Sequence, residues 1–164
     1  MIESNVVIEQ SLNEKILGNA LTVIDYYDIA LANALAQLFP QAAVYLSPQE
    51  QGAVLPAVFI SNYSVTAQAA LGGVTVLEAD TEITYLNADE TAYDERQTAL
   101  TAILAELPRV LHTDLGAFVL KGFSATNTKE QGMAQVLCRT EAALKLPNDI
   151  PIMQNLEQGV DLNG

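Results

Sequence analysis

Residues 74–86 read VTVLEADTEITYL, and this stretch decides the fold. Apolar and polar residues alternate along it with a period of two. One set of side chains therefore turns toward a core and the other toward the opposite side of a pleated strand. Glu78, Asp80 and Glu82 fall on that second side, spaced about 7 Å from one to the next. Residues 133–146, MAQVLCRTEAALKL, carry the same signal. There Ala134, Val136, Cys138, Thr140, Ala142 and Leu144 share one face, and Gln135, Arg139, Glu141 and Lys145 share the other. Two strands of this kind predict a sheet with one face on the core and one face wet or in contact with a partner.

Three further strands follow from neighbouring runs. Residues 57–65, AVFISNYSV, are rich in β-formers and lead through a loop with Gly72 and Gly73 into the deciding strand. Residues 43–47, AVYLS, form a short strand before the turn-prone PQEQG at 48–52, and GAFVLKGFSAT at 116–126 reaches the last strand through the polar turn 127–132. Two helices complete the pattern. Ile29, Leu31, Ala32, Leu35, Leu38 and Phe39 recur at helical spacing, with Asp25 or Asp28 as the cap and Pro40 as the stop. Tyr93, Leu100, Ile103, Leu104, Leu107 and Leu111 make a second stripe, opened by Asn87 with Glu90 or Thr91 with Asp94 as a capping box and kinked or ended by Pro108. The expected fold is α+β: an antiparallel or mixed sheet of about five strands with two helices packed on one face. Residues 25–146 form the domain, with an N-terminal arm at 1–24, in which residues 6–8 can add a strand, and a C-terminal arm at 147–164.

Composition narrows the function. The 164 residues fit one domain. Half are hydrophobic and only 16% are charged, against about 25% for soluble domains. A surface so short of charge implies burial against partners. The formal charge is −13, and it is lopsided: thirteen acids stand against Lys15 alone through residue 95, then seven acids against six bases. Nucleic-acid recognition, which needs clustered Lys and Arg, is disfavoured. The uncharged stretches 29–49 and 51–77 are broken by Pro40, Pro48, Pro56, Gly72 and Gly73, so neither reads as a membrane span. The N-terminus has no signal-peptide pattern, which predicts a protein that stays in the cytoplasm where it is made.

Chemistry is sparse. His112 follows the second helical stripe and reads as a structural residue at a helix C-terminus. Cys138 lies on the apolar face of its strand and reads as a buried thiol, and one cysteine with one histidine makes no ordinary zinc site. No nucleophile elbow, phosphate loop or dinucleotide fingerprint occurs, and no cofactor is implied. The acidic stripe of Glu78, Asp80 and Glu82 remains. Alternation on a strand marks the solvated side, which is its plain reading. The same carboxylates could serve a metal-dependent enzyme, although no Gly-containing ligand loop surrounds them. Repeated around a ring, they would line a bore and repel DNA phosphates at close range.

Residues 26–145 resemble the tail terminator (tail completion) proteins of tailed bacteriophages and related contractile particles. The likeness rests on the opening helix ending at Phe39 and Pro40, on Tyr45 with the Glu50-Gln51-Gly52 turn, and on residues 56–60, PAVFI. It continues through the strand with Ile83 and Tyr85, the helix from about Thr91, and the closing hairpin near Gly116, Ala117 and Phe118. The resemblance implies a structural virion protein, not an enzyme: a subunit of a hexameric ring at the head-proximal end of the tail. Such a ring caps the tail tube, ends its polymerisation and joins the tail to the neck or head. Implied partners are copies of the chain, the tail tube protein, a neck or head–tail connector protein and, in contractile tails, the sheath, with DNA passing through unbound and assembly in the host cytoplasm. A neck or head–tail adaptor of similar fold is the alternative within virion proteins.

Overall fold

A reciprocal capping box starts the principal helix. Thr22 accepts from the backbone N–H of Asp25, and the Asp25 carboxylate accepts from the N–H of Thr22. The cap is thus Thr22, with Asp25 as its partner inside the first turn. The helix, α2 (Val23–Leu38), follows a peripheral helix α1 (Gln10–Leu17) and stops ahead of Pro40 as its sequence predicts. The computed structural model describes residues 2–47, 52–89, 91–128, 132–147, 150–153 and 160–163. The turn read at 48–52 lies almost wholly outside them, as does Glu90 of one expected capping box.

Among the described residues there are eight strands: β1 (Val6–Val7), β2 (Ala43–Tyr45), β3 (Ala57–Ala69), β4 (Thr75–Leu86), β5 (Val110–Thr113), β6 (Gly116–Thr128), β7 (Met133–Leu144) and β8 (Val160–Asn163). A third helix, α3 (Tyr93–Glu106), lies between β4 and β5. Seven strands run in the order β1-β2-β3-β4-β7-β6-β5, and β8 pairs separately with β3. From β3 to β5 the neighbours are antiparallel, whereas β1, β2 and β8 run parallel to their partners. The sheet is mixed and curls into a half-barrel.

This corrects the expected five strands and two helices, although the class remains α+β. The five anticipated strands are present; β5, β8 and α1 are additional, and residues 6–7 do form a strand. Leu111 fits the helical stripe by spacing alone. Leu107 caps the C-terminus of α3, and the chain turns into β5, which carries both Leu111 and His112. His112 therefore sits on an exposed edge strand, not at a helix end. The Thr91–Asp94 capping box does not form: Ala92 is the N-cap of α3 without a side-chain bond, and Asp89 accepts from the N–H and hydroxyl of Thr91 in a local turn.

Curvature has a visible cause. β3 shifts register between Asn62 and Ser64, and β6 between Lys121 and Ser124. Both shifts lie level with the Thr81–Cys138 pair of the two central strands. An extra residue bends its strand and raises its twist, so two bulges at one level crease the sheet along a line. Gly122, at φ 67°, supplies the left-handed conformation that the β6 bulge requires.

The core fills the side of the sheet that the helices cover. Leu31 and Leu35 of α2 and Ile103 of α3 meet Ile60, Leu77, Ile83, Phe118 and Leu120 of the sheet, all 2% exposed or less. A small second cluster of Tyr45, Ala57 and Phe59 covers the other face near β2, with the two rings 5.2 Å apart. That explains the continuous apolar run at 57–60: this end of β3 is covered on both faces.

One polar group is anchored inside this core. Tyr27 is fully buried, its ring lies 5.3 Å from that of Phe118, and its hydroxyl bonds to Thr81 Oγ1 (2.9 Å) and Thr140 Oγ1 (2.8 Å). Removing one member of a buried hydrogen-bonded set costs about 1–3 kcal/mol. Tyr27→Phe, which keeps the ring contact, is expected to lower stability by about that amount with an unchanged urea m-value. Equilibrium urea unfolding checks this, and an unaltered midpoint would contradict it.

Candidate functional site

The helix-free face of the sheet carries the acidic stripe. On β4, buried Leu77, Ala79, Thr81 and Ile83 alternate with half-buried Glu78, Asp80 and Glu82. The spacing seen in the sequence is real, but the carboxylates are not left to themselves. Asp80 stands opposite Arg139 of β7 and accepts from its Nε at 3.2 Å. Glu82 accepts from Gln135 Nε2 at 3.2 Å and from Thr84 Oγ1 at 3.0 Å. Glu78 lies across from Glu141, a like-charge pair that is unfavourable on a sheet. Lys121 of β6 offsets it by bridging Glu141 at 2.7 Å.

The stripe is therefore part of a mixed patch in which four carboxylates face two bases, a formal −2. Exposed pairs of this type contribute about 0–1 kcal/mol each. Their main effect is on the field the face presents, which stays negative but is moderated. Apolar side chains interrupt the charges: Tyr63, the extra residue of the β3 bulge, is 59% exposed and Leu137 is 39% exposed. With Asp80, Lys121 and Arg139 they border a shallow depression of about 390 Å³. Among the described residues no three of His, Cys, Asp and Glu are grouped to hold a metal ion. Cys138 is buried beneath this face, and burial pushes its thiol up to about 11, far from a reactive thiolate.

A second polar constellation was not visible in the sequence. Asn62 links the buried Tyr27 to the surface: Thr81 Oγ1 donates to Asn62 Oδ1 (2.8 Å), and Asn62 Nδ2 donates to Asp28 Oδ1 (2.7 Å). Since the Thr81 proton is committed to Asn62, Tyr27 must donate to Thr81 and Thr140 to Tyr27. Every donor in the chain points toward Asp28. That carboxyl opens on a cleft of about 170 Å³ beneath α1, beside the Lys15–Asp25 ion pair (3.1 Å) and the Ser47–Glu9 hydrogen bond (2.8 Å). It keeps a sliver of exposed surface, yet enough protein surrounds it that desolvation dominates and raises it to about 7, with Asp25 adding to the rise and the Asn62 bond and Lys15 opposing it.

Arg96 marks a third such place. It is 1% exposed within the α3 stripe and donates to Asn87 Oδ1 and Asn127 Oδ1, both at 3.1 Å, tying α3 to the ends of β4 and β6. Its sequence signal was the interval from Tyr93 to Leu100, where a charged residue occupies a core position.

The frame that carries these groups is a curved mixed sheet with helices on one face and ion pairs on the other. A family model described as phage tail terminator protein matches residues 28–144, from the first turns of α2 to the end of β7. The chain belongs to that family and is a structural component of a bacteriophage tail. This family is not known for enzymes. No curated protein matches the chain.

The raised Asp28 has a testable consequence. Its folded-state pKa lies above the ordinary 3.8, so the stability it contributes is complete below that value and is lost as pH rises through about 7. Asp28→Asn, which keeps an oxygen to accept from Asn62, is expected to be more stable than the natural chain at pH 8 and to lose most of that advantage by pH 5. Urea midpoints at the two pH values decide it; an equal difference at both would refute the assignment.

Proposed function

We propose that the chain forms a closed ring, of six copies as the family resemblance implies, which sits on the head-proximal end of the tail tube, ends its polymerisation and meets the neck. The family match over residues 28–144, which takes in strands β2 to β7, α3 and most of α2, is the observation that carries this reading. Three physical features support it. Only 16% of the residues are charged, which suits a subunit much of whose surface is covered by neighbours. Contacts between unlike patches close into a ring when the rotation allows. The helix-free face, negative but moderated by Arg139 and Lys121, suits the lining of a DNA passage: it repels phosphate without a field strong enough to hinder its own assembly.

In this reading Glu78, Asp80 and Glu82 face the bore, the tube and neck proteins meet the two rims of the ring, and a sheath subunit, where the tail has one, meets the outside. The ring catalyses nothing. Purified chain is expected to give a single closed-ring mass by light scattering and ring images in negative stain, and to stop growth when added to polymerising tube protein. A persistent monomer that leaves tube length unchanged would sink the proposal.

The bore assignment has its own test. Joint substitution Glu78→Gln, Asp80→Asn and Glu82→Gln removes one exposed ion pair and is expected to change stability by no more than about 1 kcal/mol. Assembled particles are expected to release DNA more slowly, most visibly at low ionic strength where screening is weakest. Unchanged release kinetics at low salt would mean that this face does not border the passage.

A further inference from the structure

The strands outside the matched stretch extend one edge of the sheet only. β1 pairs with β2, and β8 pairs with β3. Because β4 occupies the other side of β3 along its length, β2 and β8 share the same edge: β2 covers it as far as Phe59, and β8 covers residues 65–68. The pairing of β8 is parallel, with Val65, Thr66, Ala67 and Gln68 opposite Val160, Asp161, Leu162 and Asn163.

The chain leading to β8 is fixed at one point. The N–H groups of Val23 and Ile24, in the first turn of α2, donate to the carbonyls of Pro151 (3.0 Å) and Ile152 (3.1 Å), and Ile152 is buried. Those amides would otherwise lack partners at a helix start, so the anchor belongs to the subunit itself. From Met153 to Val160 the backbone can span at most about 25 Å, a reach comparable with the width of a small domain.

We propose that β8 is exchanged between subunits of the assembled ring, the Val160–Asn163 strand of one copy pairing with residues 65–68 of the next. This rests on the ring reading above. The register and backbone chemistry are the same whether the strand comes from its own chain or an identical neighbour, so exchange sacrifices no pairing. A four-residue parallel strand is weak alone. In a closed ring, though, each acceptor edge receives one donor and each donor is used, so the weak pairings become a set of links that must all open together for the ring to come apart. Before assembly the same strand covers its own β3 edge, which would otherwise invite open-ended strand addition.

Two single-cysteine chains, Thr66→Cys and Asp161→Cys, each also carrying Cys138→Ala, separate the alternatives. Assembled together and oxidised, they are expected to form a covalent dimer joining position 66 of one chain to position 161 of the other. The chain carrying both cysteines is expected to give a ladder of covalent oligomers on non-reducing gels, ending at the ring size. A mixture without heterodimers, or a double-cysteine chain that closes only on itself or not at all, would overturn the exchange. Light scattering on each sample keeps the two readings apart. Rings without cross-chain disulfides defeat the exchange alone, whereas a natural chain that never forms rings defeats both.

Discussion

The hydroxyl of Tyr27 is the fixed point of this fold. It rises from α2 into the middle of the sheet and meets one threonine from each of the two central strands, Thr81 on β4 and Thr140 on β7. A hydroxyl buried among apolar side chains must find partners or destabilise the protein, and these two lie within reach only when helix and sheet hold one separation and one alignment. The hydrophobic contacts around it drive the packing but tolerate sliding; the hydrogen bonds do not. Thr81 also belongs to the level at which β3 and β6 bulge, so the clamp sits at the crease about which the sheet curls.

That arrangement separates what the sequence discloses from what it hides. β4 and β7 were legible because their buried and half-buried residues alternate without interruption, and α2 because its apolar positions keep helical spacing up to Pro40. β5 and β8 are four residues long, too short for a period to register. β5 was further disguised because Leu111 continues the spacing of Ile103 and Leu107 past the end of α3. α1 has no buried residue, so no apolar stripe announces it. Charge spacing within one strand could be read directly, whereas the partners of those charges could not. Arg139 reaches Asp80 through a pairing of strands far apart in the chain, and nothing local encodes that register. For the same reason Tyr27 and Asn62 looked ordinary.

The open face gains its character from this long-range pairing. A bare row of three carboxylates would present a steep negative field; the observed face sets bases beside acids and places Tyr63 and Leu137 among them. Such a surface binds polyanions poorly and attracts polycations only weakly. Arg139 and Lys121 thus set how strongly this face acts on a charged neighbour.

The one-way sense of the chain from Thr140 to Asp28 grades how freely its members can be replaced. Thr140 is the source: taking away its hydroxyl leaves Tyr27 short of one incoming proton, the milder loss for an oxygen that still donates onward. Asn62 is the junction, and losing its amide strands the Thr81 proton on one side and the Asp28 carboxyl on the other. Sequence drift should therefore be permitted most at the β7 end and least at the β3 bulge. The most constrained residue of the chain is then an asparagine that looks, from its neighbours in the sequence, like an ordinary member of a strand.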